Sequence, residues 1–277
     1  MNTIHYELYI SAKYANPNGD PQDDGRPRQS SGGYGEISPV SIKRHLRNVA
    51  AVLVEENPDK YNPANFRFFQ NTDDGLTKKQ KSEKYGDSPK LFWDSRVLGE
   101  QHMFSGQNSV VRHSAISVTP ALSLEPIEII DMQITSSVPF EKTSNKNKKK
   151  KSEDEGDEND GEEKKTGKGT MGFIHYVKDA VYRCYISTDL RGIKENGVSK
   201  QDLELFEDAL RHIYCYGSSL TRPFMHIMVD KLVKVEHPDT LSIPFRAVSA
   251  IKEGDHYIYN IDEKLLKERK CKATVLV

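Results

Sequence analysis

Cysteine is scarce in this chain of 277 residues: Cys184, Cys215 and Cys271 are odd in number and far apart. Such spacing builds neither a C-x-x-C metal knuckle nor a disulfide framework, and it fits a reducing compartment best. Long apolar runs are missing too. No stretch approaches the roughly 20 residues of a membrane span, and Met1-Asn-Thr-Ile-His-Tyr-Glu7 has neither the basic nor the apolar region of an export signal. The expectation is a soluble, cytoplasmic protein with no membrane partner. Net charge is nearly absent, at −1 from 40 basic and 41 acidic residues, so any attraction for a charged partner must be local.

Several chemistries lack their signatures. There is no G-x-x-x-x-G-K-[ST] phosphate loop, no H-E-x-x-H and no G-x-S-x-G. Asp20-x-Gln-x-Asp24-Gly25 begins like a calcium loop but lacks the closing glutamate and carries Pro21 inside, which argues against an EF-hand. No lysine-glycine-aromatic stacking signature is present, and no internal repeat.

What the chain does have is concentrated basicity. Between Arg26 and Arg47 five Lys or Arg face one acid, Glu36. Asn16-Pro-Asn-Gly-Asp-Pro21 reads as a turn; Arg26-Pro-Arg28 and a Gly/Ser stretch follow it. Ser38 is a natural N-cap with Pro39 at the first helical position, which predicts a helix. At 100° per residue, Ile42, Leu46, Val49, Ala50 and Leu53 gather on one face while Lys43, Arg44 and Arg47 point elsewhere. One reading is a polyanion site, with guanidinium forks and loop N–H groups facing phosphate; the other is a solvated face on an ordinary amphipathic helix. Arg26 and Arg28 favour the first.

Periodicity supplies the frame. Ile4, Tyr6, Leu8 and Ile10 alternate with polar neighbours and predict a first strand feeding the basic helix. Strands are expected at Val110 to Val118, Ile127 to Thr135 and Ala180 to Ile186. Ser199 caps a second helix with Leu203, Phe206, Leu210, Ile213 and Tyr214 on one face, and a strand from Phe224 to Glu236 follows. The order βαββαβ is ferredoxin-like, within an α+β class. Shorter strands at His256 to Ile261 and Ala273 to Val277 extend it.

Two segments interrupt this frame. Residues 57–108 are polar and weakly periodic, with turns at Asn57-Pro58 and Asn62-Pro63 and the single Trp93; they read as a small appended subdomain. Residues 141–169 carry nine lysines and nine acids without an apolar side chain, a composition that cannot bury a core and predicts a disordered tip. The domain reading is therefore 1–56 as the first part of the frame, 57–108 as the insert and 109–277 as the rest.

Asn-Pro-Asn-Gly-Asp-Pro, Arg-Pro-Arg and Ser-x-Lys-Arg-x-x-Arg together resemble the CRISPR-associated backbone subunits of type I Cascade, members of the RAMP superfamily built on RRM-like folds. Asp94-Ser-Arg96-Val-Leu98-Gly99 resembles the family's Asp-x-Arg-x-Phe-Gly, with leucine in place of the aromatic, and Thr170-Met171-Gly172 matches its Thr-Met-Gly. The resemblance runs from about residue 4 to 236 and is nearest to types I-B and I-C. It implies an RRM-like palm, a fingers-like insert and a β-hairpin thumb at 135–173, with Thr135 to Phe140 and Gly169 to Phe173 as its stem. It also implies a non-catalytic subunit, without cofactor or metal, that polymerises along CRISPR RNA. Partners would be that RNA, other copies of the chain, other Cascade subunits and target DNA through the guide. In this picture Lys43, Arg44 and Arg47 grip the backbone and Asn18 and Gly19 shape the loop. Arg26 and Arg28 assist, Arg222 contributes from Gly217-Ser-Ser-Leu-Thr-Arg-Pro223, and Met171 and Phe173 act as apolar wedges. For Met171 a buried strand-starting residue is the other reading. Two alternatives differ in class: a RAMP-type endoribonuclease processing the precursor RNA, with His45 as the shuttle to test, and a generic single-stranded RNA-binding module. Apart from these, Asp23 and Asp24 are metal candidates by likeness to the loop aspartate of type III backbone relatives that cut target RNA.

Overall fold

The computed structural model describes residues 2–70, 74–86, 88–102, 110–135, 171–240 and 243–277. Along the chain the elements are β1 (Ile4–Ala15), β2 (Tyr34–Ile37), α1 (Pro39–Glu56), α2 (Lys78–Tyr85), α3 (Trp93–Leu98), β3 (Glu100–His102), β4 (Val110–Arg112), β5 (Ile116–Val118), β6 (Ala121–Pro126), β7 (Ile129–Thr135), β8 (Met171–Thr188), α4 (Leu190–Asn196), α5 (Lys200–Arg211), β9 (Ile227–Glu236), β10 (Val248–Glu253), β11 (His256–Ile261), α6 (Glu263–Glu268) and β12 (Lys272–Val275). The protein is a mixed α/β fold around a mainly antiparallel sheet.

Eight strands form that sheet in the order β12-β9-β1-β8-β6-β2, with β5 and β7 also paired to β8. β8 organises it. Along one edge it pairs antiparallel with β1, from Ala15↔Val177 to His5↔Ser187. Along the other it meets β7, β6 and β5 in turn.

Alternation along β1 and β8 divides the interior in two. Tyr6, Leu8 and Ile10 of β1 and Tyr182, Cys184 and Ile186 of β8 lie in one core with Ile42, Leu46, Val49 and Ala50 of α1 and Leu203, Phe206 and Leu210 of α5. Burying side chains such as Ile42 or Leu46 completely contributes about 1.5–3 kcal/mol each. Tyr9 and Val181 point to the opposite face, where they pack with Val233, Val248 and Leu266 under the β10–β11 hairpin. Burial of the Cys184 thiol pushes it up to about 12, so it serves as an apolar core residue.

The helix caps follow the sequence. The Ser38 side chain accepts from the Ser41 N–H with Pro39 at the helix start, and Ser199 and Asp202 form a reciprocal capping box on α5. Other expectations are corrected. Val110 to Val118 is two strands, β4 and β5, because the Ala115 and His113 carbonyls are taken by the Asp189 N–H and the Asn196 side chain. β8 begins at Met171 rather than Ala180, and β9 starts at Ile227, after Met225 at φ 65°. The insert shares the main core: Tyr61, Phe66, Trp93, Val97 and Leu98 all pack into it. Of the expected thumb, β7 and β8 pair up to Thr135↔Met171, and the expected tip at 141–169 lies outside the described residues. No helix among the described residues is long and apolar enough to cross a membrane.

Candidate nucleic-acid interface

The Asn16 turn is tied to two other elements. The Asn16 N–H donates to the Thr221 carbonyl at 2.7 Å, and its side-chain amide donates to the Gly25 carbonyl at 2.7 Å. The Asn18 carboxamide oxygen accepts from the Ser38 N–H at 2.8 Å, fixing the loop against the start of α1. Gly19 is required: a Cβ there would stand 2.8 Å from the Gly25 carbonyl oxygen. Asn18 and Gly19 hold the loop's shape through hydrogen bonding and close approach.

Around this loop the expected cations separate into three environments. Arg44 is exposed and forms no ion pair among the described residues. Arg26 and Arg28 are half-buried and partnered within the chain: Arg26 reaches Asp131 of β7 at 3.1 Å, and Arg28 reaches Asp20 at 3.5 Å. A hydrogen bond from His175 and the charge of Arg26 hold the Asp131 carboxyl below the usual carboxylate range. Lys43 is also half-buried; its ammonium donates to the Leu98 carbonyl at 2.9 Å, and burial followed by the charge of Arg47 lowers its pKa.

Arg47 corrects the picture of a single cationic face. It is 9% exposed and lies 3.3 Å from Asp94, which is itself 1% exposed and accepts from the Phe69 and Gln70 N–H groups. A carboxylate buried at the insert's base needs a cation and donors, and α1 supplies the cation. Two residues on, Arg96 donates to Asp202 of α5 at 2.6 Å and to the carbonyls of Lys90 and Asn65. The Asp94–Arg96 motif thus fastens the insert to both major helices.

Arg222 comes to α1 from the opposite side. Its guanidinium donates to His45 Nε2 at 3.0 Å, and the His45 ring packs against Tyr214 with centroids 5.1 Å apart. Burial, with Arg222 and then Arg44 adding to it, lowers His45 to about 4. His45 is therefore neutral near pH 7, with the ring nitrogen facing Arg222 unprotonated. The surface beside it carries exposed apolar groups, Leu220, Phe224 and Met225, each at least 65% exposed. Sequence periodicity does not show them because they sit in a loop.

On β8, Phe173 is 66% exposed and its backbone stands opposite Gln133 of β7. Met171 stands opposite Thr135 at the first position of the strand. Arg44, Arg222 and the Asn16–Arg28 loop form one region around the start of α1, while Met171 and Phe173 lie on the separate β7–β8 arm that Asp131 joins to the loop through Arg26. Among the described residues no group of three or more His, Cys, Asp or Glu is placed to hold a metal ion.

A search of curated proteins finds no match. Among solved structures, one chain titled "CRISPR RNA-guided surveillance complex" aligns over 96% of this chain and 80% of its own length, at 14% identity and a TM-score of 0.48. Another, titled "CRISPR RNA-guided surveillance complex, pre-nicking", aligns over 88% of this chain and 80% of its own, at 12% identity and a TM-score of 0.51, and shares the fold. The family model for CRISPR-associated protein Cas7 matches residues 2–256. With that match spanning most of the chain, and with the Asn16 turn and basic helix joined as described, the protein belongs to the Cas7 family.

Proposed function

We propose that this chain is a non-catalytic, guide-RNA-binding backbone subunit of a type I CRISPR surveillance complex, working in the cytoplasm. The observation that carries the proposal is the placement, in a Cas7-family chain, of Arg44, Arg222 and the Asn16–Arg28 loop around the start of one helix. The exposed Arg44 guanidinium and the half-buried Arg222 suit phosphate oxygens and read no base, so guide sequence is immaterial to affinity. Pairing between guide and target DNA supplies specificity. The strand order β9-β1-β8 with β5, β6 and β7 on β8's far edge supports a ferredoxin-like, RRM-type palm. The neutral His45, already holding Arg222, supports a positioning part for that ring rather than proton transfer.

Polymerisation follows from the arm. Exposed Phe173 on β8 and exposed Leu220, Phe224 and Met225 are apolar surface that a neighbouring copy and the RNA between copies would cover. A heterologous contact of this kind repeats without closing and yields a helical assembly alongside other Cascade subunits. Native mass spectrometry on guides of increasing length tests the reading. Mass is expected to rise in discrete steps, one subunit for each fixed increment of nucleotides. Phe173→Ala is expected to blur that register more than it lowers affinity, and a single copy on every length of RNA would overturn the proposal.

A further inference from the structure

The sheet face turned away from α1 and α5 carries a second basic surface. Arg183 and Tyr185 project there from β8, and with the β10–β11 hairpin beside them they line a groove of about 920 Å³ that also includes Tyr34, Leu122, Arg246 and Tyr257. A further cavity of about 450 Å³ shares Thr119, Tyr185 and Arg246 with it and continues to Phe245 and His237. Cations and rings alternate along this path. Lys252 lies 5.9 Å from the centroid of Tyr257, Arg183 and Arg246 lie 5.4 and 5.8 Å from that of Tyr185, and Arg269 lies 5.9 Å from that of Phe245.

Charge in the groove is unbalanced. The carboxylate lining the larger cavity, Glu125, is already paired with Lys252. Arg183 and Arg246 form no ion pair among the described residues; both guanidinium groups pack on Tyr185, and Arg183 also has Tyr9 as a hydrogen-bond partner. Tyr34 and Leu122, 39% and 45% exposed, offer apolar surface along the same wall. An acidic peptide would use the cations and leave the rings unused. A strand of nucleic acid uses both, phosphates on guanidinium groups and bases on ring or guanidinium planes.

We propose that this groove binds a short stretch of single-stranded nucleic acid, at a site separate from the one around α1. The proposal rests on the groove alone and stands whether or not the α1 region holds the guide.

The test uses the full chain with octamers of 5-iodouracil, as DNA and as RNA, photocrosslinked and mapped by peptide mass spectrometry, with affinity measured across a salt series. Crosslinks are expected at Tyr257, Tyr185 or Tyr34, and they should persist in Arg44→Ala/Arg222→Ala. In Arg183→Gln/Arg246→Gln those crosslinks should vanish, affinity should fall about tenfold, and the log–log salt slope should flatten by about 1.4, at about 0.7 per phosphate contact on a single strand. Arg246→Gln alone, at an exposed side chain, keeps the test readable if the double variant folds poorly. A preference for the DNA octamer would assign the groove to a DNA strand, and a preference for RNA to an RNA segment; either supports the site. Unchanged affinity and crosslinks in the arginine variants, crosslinks confined to Phe173 or the Arg222 loop, or displacement by polyglutamate as effective as by unlabelled octamer would each overturn it.

Discussion

Arg44 and Arg47 stand less than one turn apart on α1, yet one faces solvent and the other closes a buried ion pair with Asp94. The same side chain thus lies open to solvent in one place and serves architecture in the other. What decides is the neighbour: beyond Arg44 there is water, and beyond Arg47 there is the insert, whose carboxylate would otherwise be buried without a countercharge. A basic helix read as a uniform strip therefore divides into a replaceable contact and an irreplaceable brace.

The contrast is broken most severely at the brace. Asp94→Ala removes the acceptor of two backbone N–H groups and the buried carboxylate beside Arg47, at an expected cost of about 3–5 kcal/mol in urea denaturation. Arg47→Ala should cost a similar amount, and a loss within about 0.5 kcal/mol, as at an ordinary surface position, would show that the pair is not structural.

Acid should distinguish the two sides next. His45 binds its proton in the unfolded chain near pH 6.5 but in the folded protein only near pH 4, so between these values the unfolded state holds more protons and stability falls as pH is lowered. The expected loss between pH 7 and pH 5 is about 2 kcal/mol. His45→Gln should remove most of that dependence; thermal unfolding of both proteins across this range compares them, and parallel curves would refute the buried, neutral ring.

Gly19→Ala sharpens the comparison from the loop. The added methyl meets backbone rather than a flexible side chain, so the turn must open, at an expected cost of about 1–3 kcal/mol. RNA affinity should fall alongside, as filter binding and a urea melt on the same preparation would show; unchanged values in both would mean that the loop yields freely.

The smallest effect on stability is expected at the contact itself. Arg44→Ala should change folding free energy by no more than about 0.5 kcal/mol. It should nevertheless flatten the salt dependence of RNA binding by about 0.7 in the log–log slope. An unaltered slope would remove Arg44 from the interface.

Much of the frame was legible because it is local. The alternation at Ile4 to Ile10, the Ser38-Pro39 start and the Ser199 cap each specify their element from neighbouring residues. The brace was partly legible: Arg47 lies about 20° around the helix from Val54, so an apolar face extended to Val54 ends right beside it. Its partner was not, since nothing near Asp94 in sequence indicates which helix supplies the cation. β2 was hidden by its own glycine. Gly35 resembles a loop residue, but a Cβ there would stand 2.6 Å from the Tyr182 hydroxyl, so the glycine records a close approach within the sheet. The groove on the second face escaped notice because Arg183 and Tyr185 on β8 meet Arg246 and Tyr257 only through the fold.

One strand joins the two surfaces proposed to meet nucleic acid. β8 runs unbroken for 18 residues, and from Phe173 on the arm to Tyr185 in the groove it rises about 40 Å at roughly 3.3 Å per residue. Its pairing keeps one register with β7 from Met171 to Val177 and one with β1 from Val177 to Ser187. The protein therefore carries its own ruler: the interval between arm and groove is set by the rise of one extended backbone.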